Sequence, residues 1–262
     1  MNNKRTKQLK AFDRLLTIMD ELREGCPWDK KQTFQSLRHL TIEETYELSE
    51  ALLEEDLGDI KKELGDVLLH IVFYAKIGSE QDAFDIADVA DAISEKLIQR
   101  HPHIYGDVKV ADEEEVKKNW EKLKLKEGNT SVLSGVPKSL PSLVMASRMQ
   151  DKAAGIGFDW DAIDGVKEKI KEELLELEHE IKQDNKEKIE AELGDVFFSL
   201  VNYARFLGVN PDDALSSTNK RFRARFTAME SAAAKQNIAL DSLTEAQWEL
   251  LWQDAKKMLA KN

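Results

Sequence analysis

Acidic side chains at two helical spacings carry the chemistry that can be read first. Glu172, Glu173 and Glu176 fall on one expected helix and Glu192 and Asp195 on the next. Glu173 lies inside an apolar stripe formed by Ile170, Leu174, Leu177 and Ile181. Glu192 lies inside a second stripe of Ile189, Leu193, Val196 and Leu200. Glu176 and Asp195 each follow at i+3, about 60° round the same helix face. Glu173, Glu176, Glu192 and Asp195 are therefore expected to point into the seam between two helices. A buried carboxylate without a partner costs free energy until it meets a cation or a proton. For four together, bound metal is the economical solution. The i+3 partners of Glu173 and Glu192 are acids, Glu176 and Asp195, and no cysteine stands beside them, so neither a structural zinc site nor a di-iron bundle with a Glu-x-x-His step on each helix fits. A donor set of carboxylate oxygens suits Mg²⁺, with Mn²⁺ as a substitute. Gly194, set between the two acids of the second helix, points to close approach there by backbone or ligand.

The same arrangement occurs once more, 129 residues earlier: Glu44 and Glu47, then Glu63 and Asp66, with Gly65 between the last two. Tyr74-Ala75-Lys76 and Tyr203-Ala204-Arg205 share that offset. The chain is thus expected to be an internal duplication, two copies of one helical module. Residues 1–126 form the first module, residues 127–142 a turn-rich linker, and residues 143–262 the second module, the one with the fuller set of bases beside its acids. Apolar periodicity predicts helices near 9–22, 33–52, 60–77, 84–100, 112–125, 211–235 and 244–259. Strand-like alternation is scarce, so the fold class is all-α, with bundle-like cores in both modules.

Hydrophobic residues at 42% beside charged residues at 34% describe a globular, helix-rich chain. The longest uncharged apolar runs, at 67–75 and 196–204, are too short to span a bilayer, so no membrane partner is expected. The N-terminus lacks the h-region of a signal peptide. With one cysteine, Cys26, this fits a reducing cytoplasm. A formal net charge of −12 argues against a nucleic-acid polymer, which Lys and Arg must neutralise. A small phosphorylated ligand held through metal and a few bases remains open. Lys169 and Lys188 lie four residues before Glu173 and Glu192, and Arg221 and Arg225 share one face of the following helix. Asp59 occupies the first-module position equivalent to Lys188, where it would repel polyphosphate.

Taken together, these motifs resemble the MazG nucleoside triphosphate pyrophosphohydrolases of the all-α NTP pyrophosphatase superfamily. The pattern Glu-x-x-Glu, fifteen residues, then Glu-x-x-Asp carries the resemblance. So do Pro27-Trp28-Asp29, Arg100-His101-Pro102-His103 and Gly157-Phe158-Asp159-Trp160. The resemblance implies tandem MazG-type modules completed by homodimerisation. It also implies Mg²⁺-dependent hydrolysis of nucleoside triphosphates to monophosphate and pyrophosphate, over a broad NTP and dNTP range. By position, Glu173, Glu176, Glu192 and Asp195 would be the metal ligands. Glu172, Glu176 and Lys188 would take part in catalysis. Lys169, Glu172, Lys188, Arg221, Arg225 and Trp252 would hold substrate, Trp252 either stacking on the base or anchoring the last helix. Glu44, Glu47, Glu63 and Asp66 would form a second metal site in the first module. The alternative is a helical regulator that binds metal and nucleotide without catalysis.

Overall fold

The structure, a computed structural model, describes residues 3–110, 112, 116, 131–236 and 238–260; no strand occurs among them. The expected helix at 112–125 lies almost wholly outside the described residues. So does the start of the linker, whose remainder up to residue 141 is turn structure. The protein is all-α. Two compact units divide it, Met1–Lys109 and Val110–Asn262.

In the first unit α1 spans Asn3–Gly25, α2 Phe34–Glu54, α3 Leu57–Ser79, α4 Ile86–Arg100 and a single turn, α5, Pro102–Tyr105. Helix α1 begins well before the apolar periodicity does. Residues 3–8 are all polar and offer no apolar stripe, and periodicity marks only the part that packs. Thr33 and Ser36 make a reciprocal capping box at the start of α2 (3.1 and 2.8 Å). Asp85 caps α4 by accepting from the Ala87 and Asp88 amides, which starts that helix two residues after Phe84. Met19, Leu37, Val72, Phe73 and Ile77, drawn from α1, α2 and α3, form the core.

The second unit has α6 at Ser142–Gly155, α7 at Ile163–Lys182, α8 at Lys186–Phe206, α9 at Pro211–Lys235 and α10 at Glu245–Leu259. Pro211 sits in the first turn of α9 and Asn210 caps it. Helix α6 packs on α8 and α9, and α10 packs on α9. The turn before α7 is pinned to α8 by a bidentate ion pair, Arg205 donating to both oxygens of Asp159 at 2.9 and 2.5 Å. Trp160 of that turn lies against Gly165, where a Cβ would stand 2.3 Å from the indole Cδ1. Only glycine admits the ring there.

Each unit contains one tight helical hairpin, α2–α3 and α7–α8, and the two turns match in register. Glu55 and Asp184 take left-handed backbone (φ +56° and +53°). The next residue of each, Asp56 and Asn185, then caps the second helix through its side-chain oxygen. The expected apolar stripes are only part buried. Val196 is enclosed, whereas Leu193, Phe197 and Leu200 on α8 and the matching Leu64, Leu68 and Ile71 on α3 are exposed. These central helices carry apolar residues round more of their circumference than one hairpin covers.

Candidate metal centre

Within the α7–α8 hairpin, one carboxylate oxygen from each of Glu173, Glu176 and Glu192 lies within 4.8 Å of the other two. Within α2–α3 the same holds for Glu44, Glu63 and Asp66. Glu173 and Glu63 are each only 5% exposed. Each hairpin thus gathers three of its four expected acids. Asp195 on α8 and Glu47 on α2 are exposed and stand outside the two trios.

Burial and the crowding of like charge perturb one group in each hairpin. Burial raises the pKa of Glu44, and Asp66, Glu47, Glu63 and Glu43 raise it further. Glu176 is raised by partial desolvation in the seam, then by Glu173 and Glu192, with Lys169 opposing. A divalent cation would relieve that repulsion, and the all-oxygen donor set suits Mg²⁺ or Mn²⁺. Glu63 adds a second sign of fit, because its Oε2 is buried without a hydrogen-bond partner.

Each buried glutamate meets one lysine, from different places. Lys169 on α7 reaches Glu173 at 2.6 Å and the exposed Glu172 at 2.9 Å. These bonds raise its own pKa. In the first unit Lys62, adjacent in sequence, donates to Glu63 Oε1 at 2.7 Å.

The remaining expected phosphate ligands have other contacts. Lys188 pairs with Glu180 at 3.2 Å. Arg221 turns back along α9 to Ser217 and Thr218. Arg225 lies 5.6 Å above the Trp252 ring. Trp252 sits against Phe222, and Trp248 stacks on Phe226, bordering a cleft of about 670 Å³ between α9 and α10. Trp252 thus has Phe222 and Arg225 against its ring and a cleft beside it.

Glu180 is a buried acid that the spacing of the motifs does not single out. A signal exists all the same, since the matching first-module position is Ala51. A Cβ added at Gly65 or at Gly194 would meet no described protein atom within 4 Å, so backbone packing does not require either glycine. Gly194→Ala is accordingly expected to stabilise the protein by about 0.5–1 kcal/mol, the ordinary helix-interior difference, read by urea melts.

Residues 32–105 and 162–227 match the model of the MazG nucleotide pyrophosphohydrolase domain. Those segments contain the two acidic hairpins. The chain belongs to this family. As a MazG-family chain it is 40% identical over 258 residues to a nucleoside triphosphate pyrophosphohydrolase of Escherichia coli K12, covering 95% of this chain and 98% of that one. It is 43% identical over 250 residues to the nucleoside triphosphate pyrophosphohydrolase/pyrophosphatase MazG of Thermotoga maritima, covering 94% and 95%. To the uncharacterized protein YabN of Bacillus subtilis it is 45% identical over 252 residues, 94% of this chain and 52% of that protein.

Proposed function

We propose that this chain hydrolyses nucleoside triphosphates between the α- and β-phosphates, releasing a nucleoside monophosphate and pyrophosphate, with Mg²⁺ as cofactor. The observation that carries the proposal is a trio of converging carboxylates, one of them buried, in each of two matching hairpins, with two of the three members at the same register. The names of the full-length relatives support the substrate class. A broad NTP and dNTP range and a housecleaning role in the nucleotide pool belong to the same proposal.

Glu173, Glu176, Glu192 and Asp195 would hold the metal in the second unit, and Glu44, Glu47, Glu63 and Asp66 in the first. Bound there, Mg²⁺ supplies Lewis acidity toward phosphate oxygens and a more acidic water. The chain's own groups do the rest. Glu176, whose pKa the seam already raises, or Glu172 accepts the proton of the attacking water. The water oxygen bonds to the α-phosphorus as the bond to the bridging oxygen breaks, and pyrophosphate departs with that oxygen. Lys169, Lys188, Arg221 and Arg225 offset its charge, and Trp252 offers a ring face to the base. The second unit does most of this work, because Asp59 stands in the first where Lys188 stands in the second.

Homodimerisation is part of the proposal. The apolar faces left open at matching positions on α3 and α8 support it. Among the described residues no helix is long and apolar enough to cross a membrane.

The test is pyrophosphate release by the full chain across canonical NTPs and dNTPs, with and without Mg²⁺ or Mn²⁺. Metal-dependent release from most of the panel is expected. Metal binding without release would instead mark a non-catalytic regulator, and release from a single nucleotide would mark a specialised hydrolase.

A further inference from the structure

Glu180 is 7% exposed on the last turns of α7. One of its oxygens takes the Lys188 ammonium across the hairpin at 3.2 Å, and the other, Oε2, is buried with no hydrogen-bond partner. A half-satisfied buried carboxylate is costly, so its retention needs a reason.

The duplication supplies a control within the same chain. At the register of Glu180 the first unit has Ala51, 6% exposed, so the position is equally enclosed and accepts a methyl group. Packing of the hairpin therefore does not call for an acid. At the register of Lys188 the first unit has Asp59. The backbone there is the same in both units, with the Asp59 and Lys188 amides each bonded to the capping residue of the turn, Asp56 and Asn185. Acid and lysine are thus present together in one unit and absent together in the other.

We propose that Glu180 is a positioning residue that fixes the Lys188 ammonium at the turn-side end of the second metal centre, where a bound triphosphate would reach it. The proposal rests on the triphosphate reading above. Lys188 lies one turn before Glu192, about 6 Å along the axis of α8. Its side chain is 58% exposed, and a free lysine there would spread over many rotamers. Glu180 uses one of the three ammonium donors and leaves two for phosphate oxygens.

Four full-length proteins test this: wild type, Glu180→Ala, Lys188→Ala and the double variant, each assayed for pyrophosphate release with Mg²⁺. Affinity for a triphosphate with a methylene α–β bridge is measured alongside. Glu180→Ala is expected to raise both KM and the analogue Kd about tenfold, with kcat changed far less. Introduced into Lys188→Ala it should change neither constant. Glu180→Gln, which keeps the volume and an acceptor oxygen, should recover part of the loss. The Ala51 precedent makes the alanine compatible with the hairpin. Equal losses in both backgrounds, or an unchanged KM and Kd in Glu180→Ala, overturn the positioning role. A wild-type chain that neither binds the analogue nor releases pyrophosphate overturns the triphosphate reading and this role together, and does so before any variant is made.

Discussion

Glu192→Gln in the full chain is expected to cut pyrophosphate release about a thousandfold, while Glu63→Gln costs less than about tenfold. Both residues are members of a converging trio, and both sit at the same register of their hairpins. The difference lies in what surrounds them. In the proposed second centre Lys169 and Lys188 would meet phosphate charge, whereas the matching first-unit positions hold Leu40 and Asp59, the latter a negative charge at the start of α3. Metal binding without phosphate neutralisation gives little stabilisation of a departing pyrophosphate. The measurement is the initial rate at saturating Mg²⁺ for the two variants side by side. The opposite ranking would move turnover into the first unit.

Lys169→Met is expected to destabilise the protein by about 1–2 kcal/mol in the absence of divalent cations. It leaves the buried Glu173 carboxylate without its counter-charge. Full burial of both partners would make the loss larger, but the lysine side chain is 35% exposed and water screens the pair. A divalent cation should replace the missing ammonium. Adding Mg²⁺ should therefore restore more stability to Lys169→Met than it gives to wild type. Urea melts with and without Mg²⁺ on both proteins decide it. An identical increment in the two would separate Lys169 from the metal centre.

Much of this is legible from residue order alone. The 129-residue repeat announces two helical modules, and acids inside apolar stripes announce carboxylates facing a seam. Helical register states which way a side chain leaves the backbone, and that is enough to bring Glu173 and Glu192 together. It does not state how far the side chain reaches or which neighbour claims it. So the third member of each trio differs, Glu176 in one hairpin and Asp66 in the other. Residue order leaves Lys188 free to serve phosphate, because its partner Glu180 is eight residues away and across a turn. Periodicity places Leu193 and Leu200 in a buried stripe, yet both are exposed, because it marks an apolar face without saying what covers it. The matching turns at Glu55 and Asp184 are hidden in the sequence for another reason. Their left-handed backbone is held by acidic residues, where glycine or asparagine is the usual marker.

The unlike origins of Lys169 and Lys62 bear on any attempt to graft one hairpin's function onto the other. The position matching Lys169 is Leu40, and the position matching Lys62 is Ala191. The four acids are already the same residue types at matching positions, so only an exchange that also carried Lys169 and Lys62 would move a counter-ion from one hairpin to the other. Ancestral symmetry has persisted in the anionic half of the centre and lapsed in the cationic half, so the two hairpins are no longer interchangeable parts.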